Sequence, residues 1–468
     1  MVTSKPFLVV AALLLALAAA QAAELTPEQQ AFRQIYQELV EINTTDSIGD
    51  TAKAAEAMAA RLRTAGLADV QVLSSGPRKG NLVARLRGTG ARRPILLIAH
   101  IDVVEAKRED WDSDPFKLEE VNGQFRARGS IDDKAMASAF VANLIEYAKE
   151  GFHPDRDIIV ALTTDEELSD SPHDGAHWLL QNHRPLIEAE FAINEGGGGS
   201  LRDGQPMRLS VQLAEKVYQS YRLEVTDPGG HSAVPRPDNA IYRLAQALTR
   251  LAQFEFPISL NAVTRAYFER VAASERPDVA AAIAALLAGK TDDPSLAVLT
   301  RGPTNNALLR TTCVATMLNA GEAENALPQT ARATVNCRLM PGQPPSEVEV
   351  ALNRAINDPK VAITPLGQAV ESPPSPINPE VMRAVERISS DMWPGVPVIA
   401  TMSGGYTDSR WLRNAGIPAY GVSGLFTDGA TSGVHGRNEH VGVKQIYDSK
   451  EFLYRLVKAL AGGSQTSP

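Results

Sequence analysis

An α/β fold is predicted, with a mostly parallel sheet carrying helices on both faces and a smaller α+β domain inserted into it. Three observations predict it. Continuous apolar runs at 95–99, 158–162 and 191–193 have the texture of strands buried on both faces, and they alternate with segments of helical periodicity. From about Leu213 the pattern changes to alternating strands and long helices. A Pro-rich stretch, Ser372-Pro373-Pro374-Ser375-Pro376, then returns the chain to helix–strand alternation. These changes divide the 468 residues into an N-terminal segment (1–22), a first α/β part (23–212), a smaller inserted domain (213–367) and a second α/β part (368–468).

Taken in order, Lys5, the apolar run 7–20 and the small residues 20–23 have the charged, apolar, small-residue order of a cleaved secretory signal. The run is short for a membrane span, which needs about 20 apolar residues, so no stable membrane insertion is expected after cleavage. A secreted or periplasmic location follows. Thr26-Pro27-Glu28-Gln29 reads as a helix start, with a capping Thr, Pro at the first helical position and Gln completing a capping box. Helices are expected to about Asn43 and over 51–65, and strands over 70–73 and 82–86. The run 95–99 follows. Residues 134–149 have helical spacing, with Met136, Phe140, Val141, Leu144, Ile145 and Ala148 on one side. A strand over 158–162, a helix over 176–181 and a strand over 191–193 complete the first part. In the inserted domain, strands are expected over 217–225, 311–318 and 331–339. Helices are expected over 239–252 and 345–356, and a long helical stretch runs to about Leu299.

Composition is that of an ordinary globular protein, 44% hydrophobic and 22% charged. A net charge of −9 without a basic run argues against a nucleic-acid partner. Two cysteines, Cys313 and Cys337, exclude a cysteine-rich metal site. In an oxidising compartment they can pair across their two strand-like runs; two small buried thiols are the alternative.

The chemistry is concentrated where the apolar runs end. The first leads into His100-Ile101-Asp102, the second into Asp165-Glu166-Glu167 and the third into Asn194-Glu195. Open α/β sheets collect their sites at the carboxyl ends of strands. Ionised carboxylates beside buried runs are costly unless paired or metal-bound. Asp132, in Arg128-Gly129-Ser130-Ile131-Asp132-Asp133-Lys134, stands at a helix entrance and by itself reads as a cap. A single His-x-Asp or Glu-Glu pair is equally weak; the constellation is what points to metal. Gly196 to Gly199 lacks the spacing of a phosphate loop and reads as a flexible turn. Ser403 and Ser409 near Asp408 lack the Gly-x-Ser-x-Gly elbow of a serine hydrolase. His153, His173, His177, His183 and His440 belong to no motif and read as surface or structural residues.

The ordered set of motifs resembles the dizinc exopeptidase family of glutamate carboxypeptidase, aminoacylase, carnosinase, acetylornithine deacetylase and succinyl-diaminopimelate desuccinylase. The matching segments, besides those above, are Gly229-Gly230-His231-Ser232, Asn325-Ala326-Leu327-Pro328, Arg338-Leu339-Met340-Pro341-Gly342, Ser403-Gly404-Gly405-Tyr406-Thr407-Asp408-Ser409 and Val434-His435-Gly436. The resemblance implies a zinc-exopeptidase-like fold and two zinc ions per subunit, for which cobalt or manganese can substitute. His100, Asp132 and Glu195 would hold one ion; Asp132, Glu167 and His435 would hold the other, with Asp132 bridging. Asp102 would orient His100, and Glu166 would be the general base. His231 would reach the site from the lid, often that of a partner in a homodimer; as a lone residue it is an ordinary lid-surface histidine. Asn325 and Arg338 would hold the substrate's carboxylate, and Gly405 would offer a backbone contact. The implied reaction is hydrolysis of an amide or peptide bond next to a free carboxylate, on a small peptide or an N-acyl amino acid. Secretion and the long helical stretch, which would enlarge the lid of the inserted domain, favour a carboxypeptidase or dipeptidase over a biosynthetic deacetylase; an N-acyl-amino-acid deacylase is the alternative.

Overall fold

The computed structural model describes residues 25–168, 171–429 and 432–462. The expected signal segment lies outside the described residues. Its larger domain is built on a ten-stranded sheet. In the middle, Ile158–Thr163, Ile95–His100, Phe191–Asn194 and Ala419–Gly421 run parallel in that order. Every residue of the first three is buried, which is why their sequences read as unbroken apolar runs. On one flank the hairpin Asp69–Gly76 and Lys79–Leu86 adds antiparallel strands. On the other, Gln205–Glu215 pairs with Val398–Ser403 in parallel and with Gly199–Arg202 antiparallel.

The helix Pro27–Glu41 starts with the capping box expected at Thr26 and Gln29. Together with Lys134–Lys149 and Val443–Ala461 it covers one face of the sheet in a single apolar core that includes Phe32, Leu39, Phe140, Leu144, Leu453 and Leu456. The opposite face is covered by the helices Gly175–Asn182 and Ser409–Asn414, with Leu179 and Leu412 buried against Leu96, Ile98 and Ile159.

The inserted segment forms a separate antiparallel sheet in the order Thr312–Ala320, Thr330–Leu339, Val217–Thr226, Ala362–Leu366. The helices Ala240–Gln253 and Pro345–Ile356 cover it, burying Leu244, Leu251, Val348 and Leu352 against Tyr221, Leu223 and Val335. Cys313 and Cys337 face each other across two of its strands and form a disulfide.

Two features depart from the sequence expectation. The strand Gln205–Glu215 continues in the main sheet past residue 212, so the chain crosses to the lid at Lys216, between this strand and Val217–Thr226. The helices Ala262–Val271 and Pro277–Leu287 do not enlarge the lid core. They gather Phe268, Ile283 and Leu286 around Ile399 of the catalytic sheet, because their apolar stripes match a strand of that domain.

Candidate active site

The parallel strands end together, and their following loops deliver one cluster of ionisable groups. His100 is the last residue of its strand. Its Nε2 lies 2.9 Å from Oδ1 of Asp132 and 4.0 Å from Oε1 of Glu195. The other oxygen of Asp132 lies 3.0 Å from Nε2 of His435, and that nitrogen is also 3.0 Å from Oε1 of Glu167. Two groups of three thus share one carboxylate: His100, Asp132 and Glu195 on one side, and Asp132, Glu167 and His435 on the other.

Backbone geometry separates neighbours that the sequence places side by side. Asp165, just after its strand, is left-handed (φ 62°), and His435 is too (φ 57°). Such conformations are costly for non-glycine residues and collect at functional sites. The turn is fixed by Asp102, whose carboxylate accepts the N–H groups of Glu166 (3.2 Å) and Glu167 (3.1 Å). Glu167 then meets His435, while Oε1 of Glu166 is buried and without a hydrogen-bond partner. Asp102 was expected to orient His100 by its side chain. The structure gives that contact chiefly to its backbone carbonyl, 3.1 Å from His100 Nδ1, with the carboxylate oxygen at 3.6 Å. The carboxylate is committed to the two amides of the turn.

Electrostatics show what this arrangement lacks. Burial pushes Glu166 well above the usual carboxylate range, and the neighbouring Glu195 charge adds to it. Burial also raises Glu195, and outweighs the opposing pull of His100. Asp132 goes the other way: burial would raise it, but hydrogen bonds with His100 and His435 hold it below the usual range. Hydrogen bonds with Asp132 and Glu167 raise His435 to about 10. Burial, followed by Asp174, raises Asp408 to about 8; its Oδ2 accepts Thr163 Oγ1 at 2.6 Å and its Oδ1 is buried without a partner. Carboxylates brought this close retain protons unless positive charge is supplied. Two divalent cations fit the demand, and the histidine-and-carboxylate donor set suits metal of the zinc, cobalt and manganese type.

One residue that sequence reasoning missed organises the loop bearing Asp132. Glu439 is fully buried and accepts Arg128 Nη1 (2.7 Å) and the N–H groups of Gly129 (3.1 Å), Ile131 (2.7 Å) and Asp132 (3.3 Å). The signal was faint: a charged residue four positions after His435, inside an otherwise polar loop. Asp133 is the N-cap residue of Lys134–Lys149, and its Oδ2 is buried without a partner; it belongs to neither ligand group. The four glycines 196–199 are not a flexible turn. A Cβ on Gly197 would lie 2.1 Å from the Gly421 carbonyl oxygen, and one on Gly199 would lie 2.2 Å from the Phe426 ring, so close packing demands glycine there.

The lid candidates lie apart from this cluster. His231 and Asn325 are neighbours: His231 pairs with Ala326, and Ser232 N–H donates to Asn325 O at 3.0 Å. His231 is exposed, its Nδ1 accepts only the Ala233 N–H, and it enters neither ligand group. Arg338 stacks over Tyr218, with Cζ 4.7 Å from the ring centroid, and over Tyr406 at 5.9 Å. Its Nη1 is buried with no partner. Arg410 lies over the same Tyr406 ring at 3.9 Å. Gly405 is exposed, and its N–H is turned to Ser403 Oγ at 3.0 Å. Of the histidines outside the motifs, His173 bonds the Ser75 carbonyl, His177 stacks on Trp411 and His440 bonds the Asn438 carbonyl.

Comparison with known proteins places this geometry. Residues 96–459 match the model of peptidase family M20/M25/M40. The chain is 31% identical to the N-fatty-acyl-amino acid synthase/hydrolase PM20D1 of Xenopus tropicalis over 379 residues, spanning 78% of this chain and 72% of that one. It is 30% identical to the probable carboxypeptidase S-like 2 of Dictyostelium discoideum over 386 residues, 78% of this chain and 71% of that one. Among solved structures, the M20 family metallo-carboxypeptidase Sso-CP2 from Sulfolobus solfataricus shares the fold, with a TM-score of 0.66 at 17% identity over 93% of this chain and 99% of that one. Human carnosine dipeptidase 1 does so with a TM-score of 0.63 at 14% identity over 92% and 97%. The chain belongs to peptidase family M20/M25/M40 and is a metal-dependent hydrolase of amide or peptide bonds.

Proposed function

We propose that this chain is a secreted or periplasmic dizinc carboxypeptidase or dipeptidase that cleaves the amide bond next to a free carboxylate. The observation that carries the metal assignment is the bridging placement of Asp132, one oxygen facing His100 and the other facing His435. His100, Asp132 and Glu195 would hold one zinc ion, and Asp132, Glu167 and His435 the other. When bound, the pair polarises the scissile carbonyl and lowers the pKa of the attacking water. Glu166, beside the cluster and with no partner for its Oε1, takes the proton from that water and passes it to the leaving amine. Asp102 fixes the turn that points Glu166 and Glu167 apart.

Arg338 supplies a half-buried guanidinium whose Nη1 has no partner among the described residues, suited to the substrate's carboxylate. Asn325 and Gly405 add polar contacts on the same end of the substrate. His231 would stabilise the oxyanion from the lid of a partner subunit. The edge strand Thr312–Ala320 supports a lid-mediated homodimer: Val314, Met317 and Leu318 are 61%, 68% and 67% exposed and its outer hydrogen-bonding edge is unpaired among the described residues. No helix among the described residues is long and apolar enough to cross a membrane.

A second reading, an N-acyl-amino-acid deacylase, is favoured by the similarity to an N-fatty-acyl-amino acid synthase/hydrolase. A panel of dipeptides and N-acyl amino acids, assayed on the metal-loaded protein with and without a chelator, decides. Chelator-sensitive turnover of carboxylate-bearing amides supports the proposal. Turnover that survives complete metal removal overturns it.

A further inference from the structure

A cavity of about 420 Å³ opens beside the metal cluster, on the Glu195 side, and Asp132 and Glu195 form part of its wall. Its size is in the range of small-molecule sites. The glycines 196–199 line part of it, their backbone packed closely against Gln212, Gly421 and Phe426. The strands on either side of Gly199–Arg202 in the same sheet, and the strand next to them, add polar residues: Arg208 and Ser210 on Gln205–Glu215, Thr401 on Val398–Ser403 and Thr427 on Phe426–Thr427. Arg208 and Ser210 stand two residues apart and so share a face of their strand, Ser210 half-buried and Arg208 exposed at the outer end. Arg208 is the one cation of the lining; its backbone pairs with Ser200, and among the described residues its guanidinium has no hydrogen bond or ion pair. Other exposed arginines are engaged, Arg184 with Glu188 and Arg437 with Asp110 for example.

The other flank of the cluster already has its own cation. Arg338, with Tyr218 and Tyr406, stands at the lid and is suited to the carboxylate of the amine-side residue. An amide substrate has two arms, and the two flanks offer two differently built sites. We infer that the cavity takes the acyl arm, and that Arg208 selects short polar acyl groups ending in an anion, such as a dicarboxylic acyl or an acidic N-terminal residue. The lining mixes the hydroxyls of Ser210, Thr401 and Thr427 with the apolar Met136, Leu425 and Val434, so the group that singles out an anionic end is the Arg208 guanidinium. This rests on the hydrolase reading given above and names its substrate class.

The test is a series of N-succinyl, N-acetyl and N-dodecanoyl derivatives of one amino acid, chosen as the best N-acetyl substrate, with kcat/KM measured on the metal-loaded wild type and on Arg208→Ala and Arg208→Glu. Arg208 is exposed, so both variants are expected to fold; zinc content and circular dichroism check this. The expected result is a wild-type preference for succinyl over acetyl and dodecanoyl. The succinyl-to-acetyl ratio should fall about tenfold to a hundredfold in Arg208→Ala, as for loss of a hydrogen bond to a charged group. Arg208→Glu should lower it further. A wild-type preference for dodecanoyl, an unchanged ratio, or an equal fall for all three substrates overturns the inference; the last would put Arg208 on the amine side. If the wild type cleaves N-acetyl substrates without favouring succinyl, this inference fails and the hydrolase assignment stands. If it cleaves none, and no dipeptide either, both fail.

Discussion

The ligand cluster and the lid candidates differ in how completely a single chain builds them. In the cluster, each group is positioned by the end of a buried strand or by a hydrogen-bonded turn, and each already touches another: His100 and His435 on either side of Asp132, Glu167 on His435. In the lid, His231 and Asn325 sit together on a two-residue ribbon, exposed and in contact with none of the metal-site groups. On the proposed reading, the metal site is built within the catalytic fold alone, whereas His231 and Asn325 would meet substrate only where the lid, or a partner's lid, comes to rest.

Substitutions can break or sharpen that contrast. The largest effect is expected from Glu166→Ala, which removes the proton carrier but no metal contact. Turnover should fall by about 10³-fold or more with metal content intact, since general acid–base catalysis is worth about 10²–10⁴-fold. Loss of metal from this variant would show that Glu166 is a ligand rather than a base. His231→Ala should lower kcat by about 10²-fold, in the range of a lost oxyanion donor, again with metal retained. Mixing it with Glu166→Ala protein should restore part of the activity if His231 acts across a dimer, and should restore none if it acts within its own chain.

Glu439→Gln tests the loop that carries Asp132. It leaves the buried Arg128 without its counter-charge and weakens the acceptor for three amides. Metal affinity should fall about 10–100-fold, the usual effect of removing a partner of a ligand, and a melting curve should show lost stability. Unchanged metal affinity would mean that the loop holds its shape without Glu439. The smallest effect on turnover is expected from Cys313→Ser with Cys337→Ser. The disulfide closes a loop of 24 residues within the lid, so its loss should lower lid stability by about 3 kcal/mol and leave metal content unchanged.

The same contrast explains what the sequence made legible. Strands buried on both faces have nothing but apolar residues, so 95–99, 158–162 and 191–193 were visible, and so were the acids and histidine that end them. The strands Gly199–Arg202 and Gln205–Glu215 were not, because Arg202, Gln205 and Arg208 put polar residues where the sheet meets solvent. The helices Ala262–Val271 and Pro277–Leu287 were legible as helices, but their packing partner, Ile399, lies more than a hundred residues away, and periodicity carries no address. Glu439 was illegible for the same reason: its partners at 128–132 are distant in sequence, and a lone acid in a loop looks solvated.

The shared carboxylate of Asp132 is tested most directly by anomalous X-ray scattering at the zinc edge on crystals of the zinc-loaded protein, with metal content measured on the same sample. Two peaks per chain are expected, one against His100 and Glu195, the other against Glu167 and His435, with Asp132 touching both. A single peak, or two peaks of which only one contacts Asp132, would contradict the bridged pair.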